Sequence, residues 1–144
     1  MNASNRPFRF AVIAAAAACT LAFAGVAPDD NPRPRPNMRA ADRAFKVLSG
    51  QIEDPTKRAE NLETFQQMQV EFLQTKSKRP PRTDKIPAAD QAEFVTDYRK
   101  AMIEVLELTF KAERQFLDGL LADAKASLAK LSELKSTAHK KFRE

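Results

Sequence analysis

His139 is the only histidine in the 144-residue chain, and Met38 is one of four methionines. An imidazole can accept a proton near neutral pH or bind a metal, and a thioether is a soft metal ligand. On a helix, His139 lies five full turns after Leu121 and three residues before Phe142, so it shares their apolar face. Met38 shares a face with Phe45, seven residues on, and with Ile52. Each has an ordinary reading: a lone histidine near a helix end is usually a surface or satisfied residue, and a lone methionine is usually core. If the first and last helices of a bundle are antiparallel, however, the start of one and the end of the other lie level. Together they then offer the thioether and imidazole pair that low-spin haem iron takes axially, with both positions filled, which favours electron transfer over oxygen chemistry.

The elements that would position this pair are legible from period and breaks. Met38, Ala41, Phe45, Leu48 and Ile52 recur at helical spacing, with Asn37 as cap and Gly50 weakening the last turn. Asp54-Pro55 supplies a cap followed by a proline suited to a first helical turn. The second helix follows, with Ala59, Leu62, Phe65, Met68, Phe72 and Leu73 expected inward, and Arg79-Pro80-Pro81 ends it. A loop through Ile86-Pro87 leads to a third helix carrying Phe94, Tyr98, Ala101, Met102, Val105, Leu108, Ala112 and Phe116, stopped at Asp118-Gly119. A fourth runs from about Leu120 through Leu121, Ala124, Leu128, Leu131, Ala138 and Phe142, with Lys135, Lys140, Lys141 and Arg143 near its negative dipole end. Narrow apolar stripes are unstable alone and must be buried against one another. The expected fold is therefore all-α, an antiparallel up-down-up-down four-helix bundle.

Composition limits the rest. One compact domain accommodates 43% hydrophobic residues with 3 Gly and 9 Pro, the prolines gathered in the N-terminal third and at the helix breaks. Arg6 and Arg9 precede an apolar run from Phe10 to Ala24 that ends in Ala22-Phe23-Ala24, the pattern of a secretory signal over residues 1–24. At about fifteen residues the run is shorter than the ~20 a membrane helix needs, so cleavage, a periplasmic location and no stable membrane anchor are expected. Cleavage would remove Cys19 and every thiol, and would take the net charge from +5 to +3 by losing two of 24 basic residues. Residues 25–36, with Pro28, Pro32, Pro34 and Pro36, are expected to be an extended or disordered tail, and residues 37–144 the folded domain. Acids and bases alternate along the helices without a concentrated basic face, which argues against nucleic-acid binding. No phosphate loop, nucleophile elbow or helical zinc pair is present, so the chain is not expected to be an enzyme.

The stretch Ser136-Thr137-Ala138-His139-Lys140-Lys141-Phe142-Arg143, the Asn37-Met38 start followed by Phe45-Lys46-Val47-Leu48, and the Lys-Arg-Pro-Pro turn after the second helix resemble the small periplasmic cytochrome b-562 family. The likeness covers nearly all of residues 37–144, with the excess length between helices one and two and before helix three. The resemblance implies one non-covalent b-type haem per chain, Met38 and His139 as axial ligands, and transfer of electrons to a redox partner protein that the sequence does not identify. It places Ala41, Phe45, Met68, Pro80, Tyr98 and Met102 at the haem pocket, and Lys135 and Arg143 near the propionates. Ala41 is small where the family usually has Leu, and Tyr98 and Met102 stand where it shows phenylalanines. A related class, the cytochromes of the c-prime type, attaches haem through Cys-x-x-Cys-His, but the window here reads Lys135-Ser136-Thr137-Ala138-His139. Any haem must therefore be held by coordination and contact alone.

Three other readings compete. One is a non-haem periplasmic helical binding or chaperone protein, in which Met38 is core and His139 incidental. Another is a divalent-metal or copper binder using Met38, Met68, Met102 and His139, which no Met-x-x-Met cluster supports. The third is a carboxylate enzyme, but Glu60, Glu63, Glu71, Glu104, Glu107 and Glu113 mostly fall off the apolar stripes, and one histidine cannot supply the paired Glu-x-x-His motif of di-iron bundles.

Overall fold

A computed structural model describes residues 35–143, which form four helices: α1 Arg35–Gln51, α2 Arg58–Lys76, α3 Gln91–Leu117 and α4 Leu121–Phe142. Short 3-10 turns at Pro55–Lys57 and Pro81–Lys85 fill the first two connections, and no strand occurs among the described residues. The expected signal segment and all but the last two residues of the expected tail lie outside the described residues.

Side-chain bonds between neighbours set the topology. Asn37 near the start of α1 donates to Glu71 and Gln74 near the end of α2, both at 2.6 Å, while Gln51 at the end of α1 donates to Asn61 near the start of α2 at 3.1 Å. Those two helices are therefore antiparallel. Tyr98 early in α3 reaches the Thr75 carbonyl late in α2, and Arg58 at the start of α2 reaches the Leu117 carbonyl at 3.2 Å. Gln115 late in α3 meets Ser127 early in α4 at 2.7 Å, and Asp97 meets Lys141 at 2.8 Å. The order is up-down-up-down as expected, with α1 and α4 touching at far fewer places than the sequential neighbours.

The core follows one stripe per helix: Ala41, Ala44 and Leu48, then Ile52 just past α1; Phe65, Met68 and Phe72; Tyr98, Met102, Val105, Ala112 and Phe116; Ala124, Leu128, Leu131 and Phe142. The Phe65 and Phe116 rings pack tilted against each other, 5.7 Å between centres. Two expected inward residues of α2 face out. Ala59 is exposed because it lies about 200° around the helix from buried Asn61, and Leu73 is 55% exposed because adjacent Phe72 continues the stripe of Phe65 and Met68.

The ends of the helices depart from the expected caps in two places. α1 starts at Arg35, with Pro36 in the first turn where a missing N–H costs nothing, so Asn37 lies inside the helix and spends its side chain on α2. Asp54 does cap, accepting from the Thr56 amide at 2.9 Å, but it caps the 3-10 turn, and α2 proper begins three residues later. At the α3–α4 corner, Gly119 adopts φ +77°, the Leu120 amide donates to the Gln115 carbonyl at 2.8 Å and the Gly119 amide to Phe116 at 3.1 Å. This pair of bonds is the Schellman arrangement that ends a helix. α4 starts at Leu121, leaving Leu120 half-exposed in the corner.

Candidate functional site

The face of α1 that turns toward α4 carries Met38, Asp42 and Phe45, and the face of α4 that turns toward α1 carries Lys135 and His139. Lys135 makes an ion pair with Asp42 and sits 5.9 Å from the centre of the Phe45 ring. At the other end of the same helix pair, Lys125 meets Glu53 at 2.5 Å. These two bridges fix an antiparallel register. One turn back from Asp42 along α1 is Met38, and one turn on from Lys135 along α4 is His139, so the two steps run in the same direction and bring the thioether and the imidazole level. Both residues are half-buried.

Around this end of the bundle the walls are mostly apolar. Ala41 and Met68 are fully buried, and Met102 and Tyr98 are 5% and 7% exposed. Tyr98 donates its hydroxyl to the Thr75 carbonyl at 3.3 Å, and burial pushes its phenol well above the ordinary tyrosine range, so it stays neutral. Phe142 packs edge-on to Tyr98 and tilted against Phe94, each at 5.3 Å. Pro80 is fully buried and starts the Pro81–Lys85 turn, where Thr83 donates its hydroxyl back to the Pro80 carbonyl at 2.7 Å. Arg82 of that turn donates to the Lys141 carbonyl at 3.2 Å, fastening the loop to the end of α4.

Ala41, Phe45, Tyr98, Pro80, Lys135 and Arg143 thus gather at the same end as Met38 and His139. Met68 and Met102 lie about two and one turns further in along α2 and α3. Arg143 is exposed just beyond α4, its amide capping the His139 carbonyl at 3.0 Å. No sequence pattern marks Asp42, because its pairing with Lys135 depends on how α4 returns. Lys135 holds the Asp42 carboxyl below its ordinary value of 3.8, against the opposing effect of burial, with Lys46 adding at 3.2 Å. Phe94, Thr75, Thr83 and Phe142, which close the end of the bundle, also went unassigned to the site.

The donor set suits a haem. One thioether and one imidazole come from separate helices that meet sparsely, and the cations of Lys135 and Arg143 lie at the rim. Among the described residues no three His, Cys, Asp or Glu side chains gather as a metal-holding group. Glu71 and Glu113, the two half-buried carboxylates among those considered for catalysis, instead accept amide bonds from Asn37 and Gln69, each at 2.6 Å. No helix among the described residues is long and apolar enough to cross a membrane.

A search of the curated proteins returns no match. The family model for cytochrome b562 matches residues 35–143, all four helices and both ends of the candidate site. With its four-helix fold and this match over most of its length, the chain belongs to the cytochrome b562 family, whose members are haem-binding electron carriers and not enzymes.

Proposed function

We propose that this chain is a periplasmic electron carrier holding one non-covalent b-type haem, with Met38 and His139 as axial ligands. The observation that carries the reading is the register set by the Asp42–Lys135 and Glu53–Lys125 bridges, which makes the two donors level on facing sides of α1 and α4. Bound there, the haem supplies a one-electron iron couple whose potential a thioether ligand raises relative to two imidazoles. The protein's own part is to hold and shield. Ala41, Phe45, Met68, Pro80, Tyr98 and Met102 exclude water from the ring, Lys135 and Arg143 offer cations to the propionates, and the two ligands leave no open position for oxygen. The redox partner is a second protein of unassigned identity.

The test is a haemin titration followed by reduction with dithionite. The full-length protein is expected to saturate at one haem per chain and to show sharp low-spin α and β bands. His139→Ala is expected to lose those bands and to weaken haem binding at least about 10-fold while circular dichroism stays helical. Met38→Ala should keep haem but lose the low-spin reduced spectrum. Unchanged bands in either variant would remove that residue from the ligand set, and no saturable binding would leave a helical binding or chaperone protein as the better reading.

A further inference from the structure

Three large apolar side chains on α3 point outward at seven-residue intervals: Ile103 is 44% exposed, Phe110 51% and Leu117 51%. Seven residues are nearly two full turns, so the three form one stripe along the helix. The stripe lies on the α2 side of α3, away from α4, because Glu113 three residues beyond Phe110 bonds Gln69 of α2 while Gln115 bonds Ser127 of α4. On α2, Leu73 is 55% exposed and, by the antiparallel register of Tyr98 with Thr75 and Arg58 with Leu117, comes level with Ile103. This face lies on the opposite side of the bundle from the α1–α4 site. The expected tail, residues 25–36, has Val26 and Ala27 as its only aliphatic side chains besides proline, too few to cover a stripe of this length.

We propose that this α2–α3 face binds a second copy of the same chain, in an antiparallel pair of α3 helices related by a two-fold axis at Phe110. The pattern is self-complementary in that orientation. Phe110 meets its own counterpart at the centre, and Ile103, seven residues before it, meets the second copy's Leu117, seven residues after it. Leu73 closes the same cluster at each end. Charge agrees with shape. Exposed Glu107 and Arg114 flank the stripe on the same side, three residues before and four after Phe110. The two-fold axis keeps them on one side and reverses their order, so Glu107 of each copy comes within about one residue rise of the second copy's Arg114. In a parallel pair the two-fold axis would run along the helices and send this flank to opposite sides of the stripe, so Glu107 would not meet the second copy's Arg114. The interface is isologous and therefore closes at two copies. It rests on a few half-exposed side chains, so association is expected to be weak, with a dissociation constant on the order of 10–100 μM. Pairing on this face leaves both α1–α4 sites open, and two carriers can dock their redox partners independently.

Sedimentation equilibrium of the haem-loaded protein, recovered in soluble form after expression of the full chain, tests this across about 1 μM to 1 mM. The weight-average mass is expected to rise toward that of two chains. Phe110→Lys should keep it at one chain throughout, with helicity and haem spectrum unchanged. Glu107→Arg should weaken association by at least about 10-fold, and adding Arg114→Glu should restore it, because both symmetric pairs are then reversed. A single-chain mass at 1 mM would overturn the proposal, as would a dimer indifferent to Phe110→Lys or a double variant that fails to recover. A monomer that co-sediments with phosphatidylcholine vesicles would also overturn it, giving the face to a lipid surface. Association is read from mass and haem binding from the spectrum, so failure of either reading is distinguishable from failure of the other.

Discussion

At the scale of single residues, Lys135 binds α4 to α1 through Asp42 one turn inside the level of Met38 and His139. The side chains are 35% and 28% exposed, so solvent screens the pair and its worth is about 0.2–1 kcal/mol. The Asp42 carboxyl is lowered in the folded state by the Lys135 bond, then by Lys46. A lowered carboxyl stabilises the fold above its unfolded value, and that contribution is lost as pH falls through the folded one. Asp42→Asn is therefore expected to cost up to about 1 kcal/mol at pH 7 and nothing once pH has dropped well below the ordinary 3.8. Urea denaturation of both proteins at a series of pH values checks this, and a difference that persists at the acid end would contradict it. Tyr98 offers a second test at this scale. Removing its hydroxyl in Tyr98→Phe forfeits the bond to the Thr75 carbonyl and should destabilise the fold by about 0.5–1.5 kcal/mol in the same assay.

At the scale of elements, the α3–α4 corner decides whether His139 returns to the level of Met38. Gly119 ends α3 at φ +77°, a conformation that costs a residue with a β-carbon roughly 1–2 kcal/mol, although nothing lies within 4 Å of where that carbon would stand. Gly119→Ala should lower stability by about that amount through backbone strain alone, with thermal unfolding as the readout. An unchanged midpoint would mean that the corner relaxes. The connection between α2 and α3 is held differently. Buried Thr83 folds back on Pro80 and Arg82 grips the last turn of α4, so the Pro-rich loop becomes a lid over the end of the bundle that bears the candidate site.

At the scale of the molecule, export is the property that the helical bundle does not reach, because residues 1–24 precede it. Cleavage after Ala24 would leave Gly25 at the N-terminus, and N-terminal sequencing of the protein from a periplasmic fraction is expected to begin there. A protein that keeps Met1 in the soluble cytoplasmic fraction would overturn the proposed location. Stability of the whole rests on the buried stripes, since the mature chain would carry no thiol for a disulfide.

Four helices, their breaks and the faces bearing Met38 and His139 were legible in the linear chain, because helical period, proline and glycine act over a few residues and need no distant partner. That Met38 and His139 share one end of the molecule follows from topology alone, since an up-down-up-down bundle starts its first helix and ends its last at the same end. Period names a face but not the neighbour that covers it. Hence Leu73 looked inward until Phe72 took the core, and Asn37 looked like a cap until the helix began two residues earlier. Asn61, Thr75, Thr83 and Ser127 could not be read as buried: a polar side chain enters a core only when a particular partner satisfies it. Asn61 has that partner in Gln51, accepting from its side chain at 3.1 Å and donating to its carbonyl at 3.2 Å. The Asp42–Lys135 bridge and the outward stripe beside Leu73 belong to the same class. Both are made by residues far apart in the chain, and only the packing of α1 against α4 and of α2 against α3 brings them together.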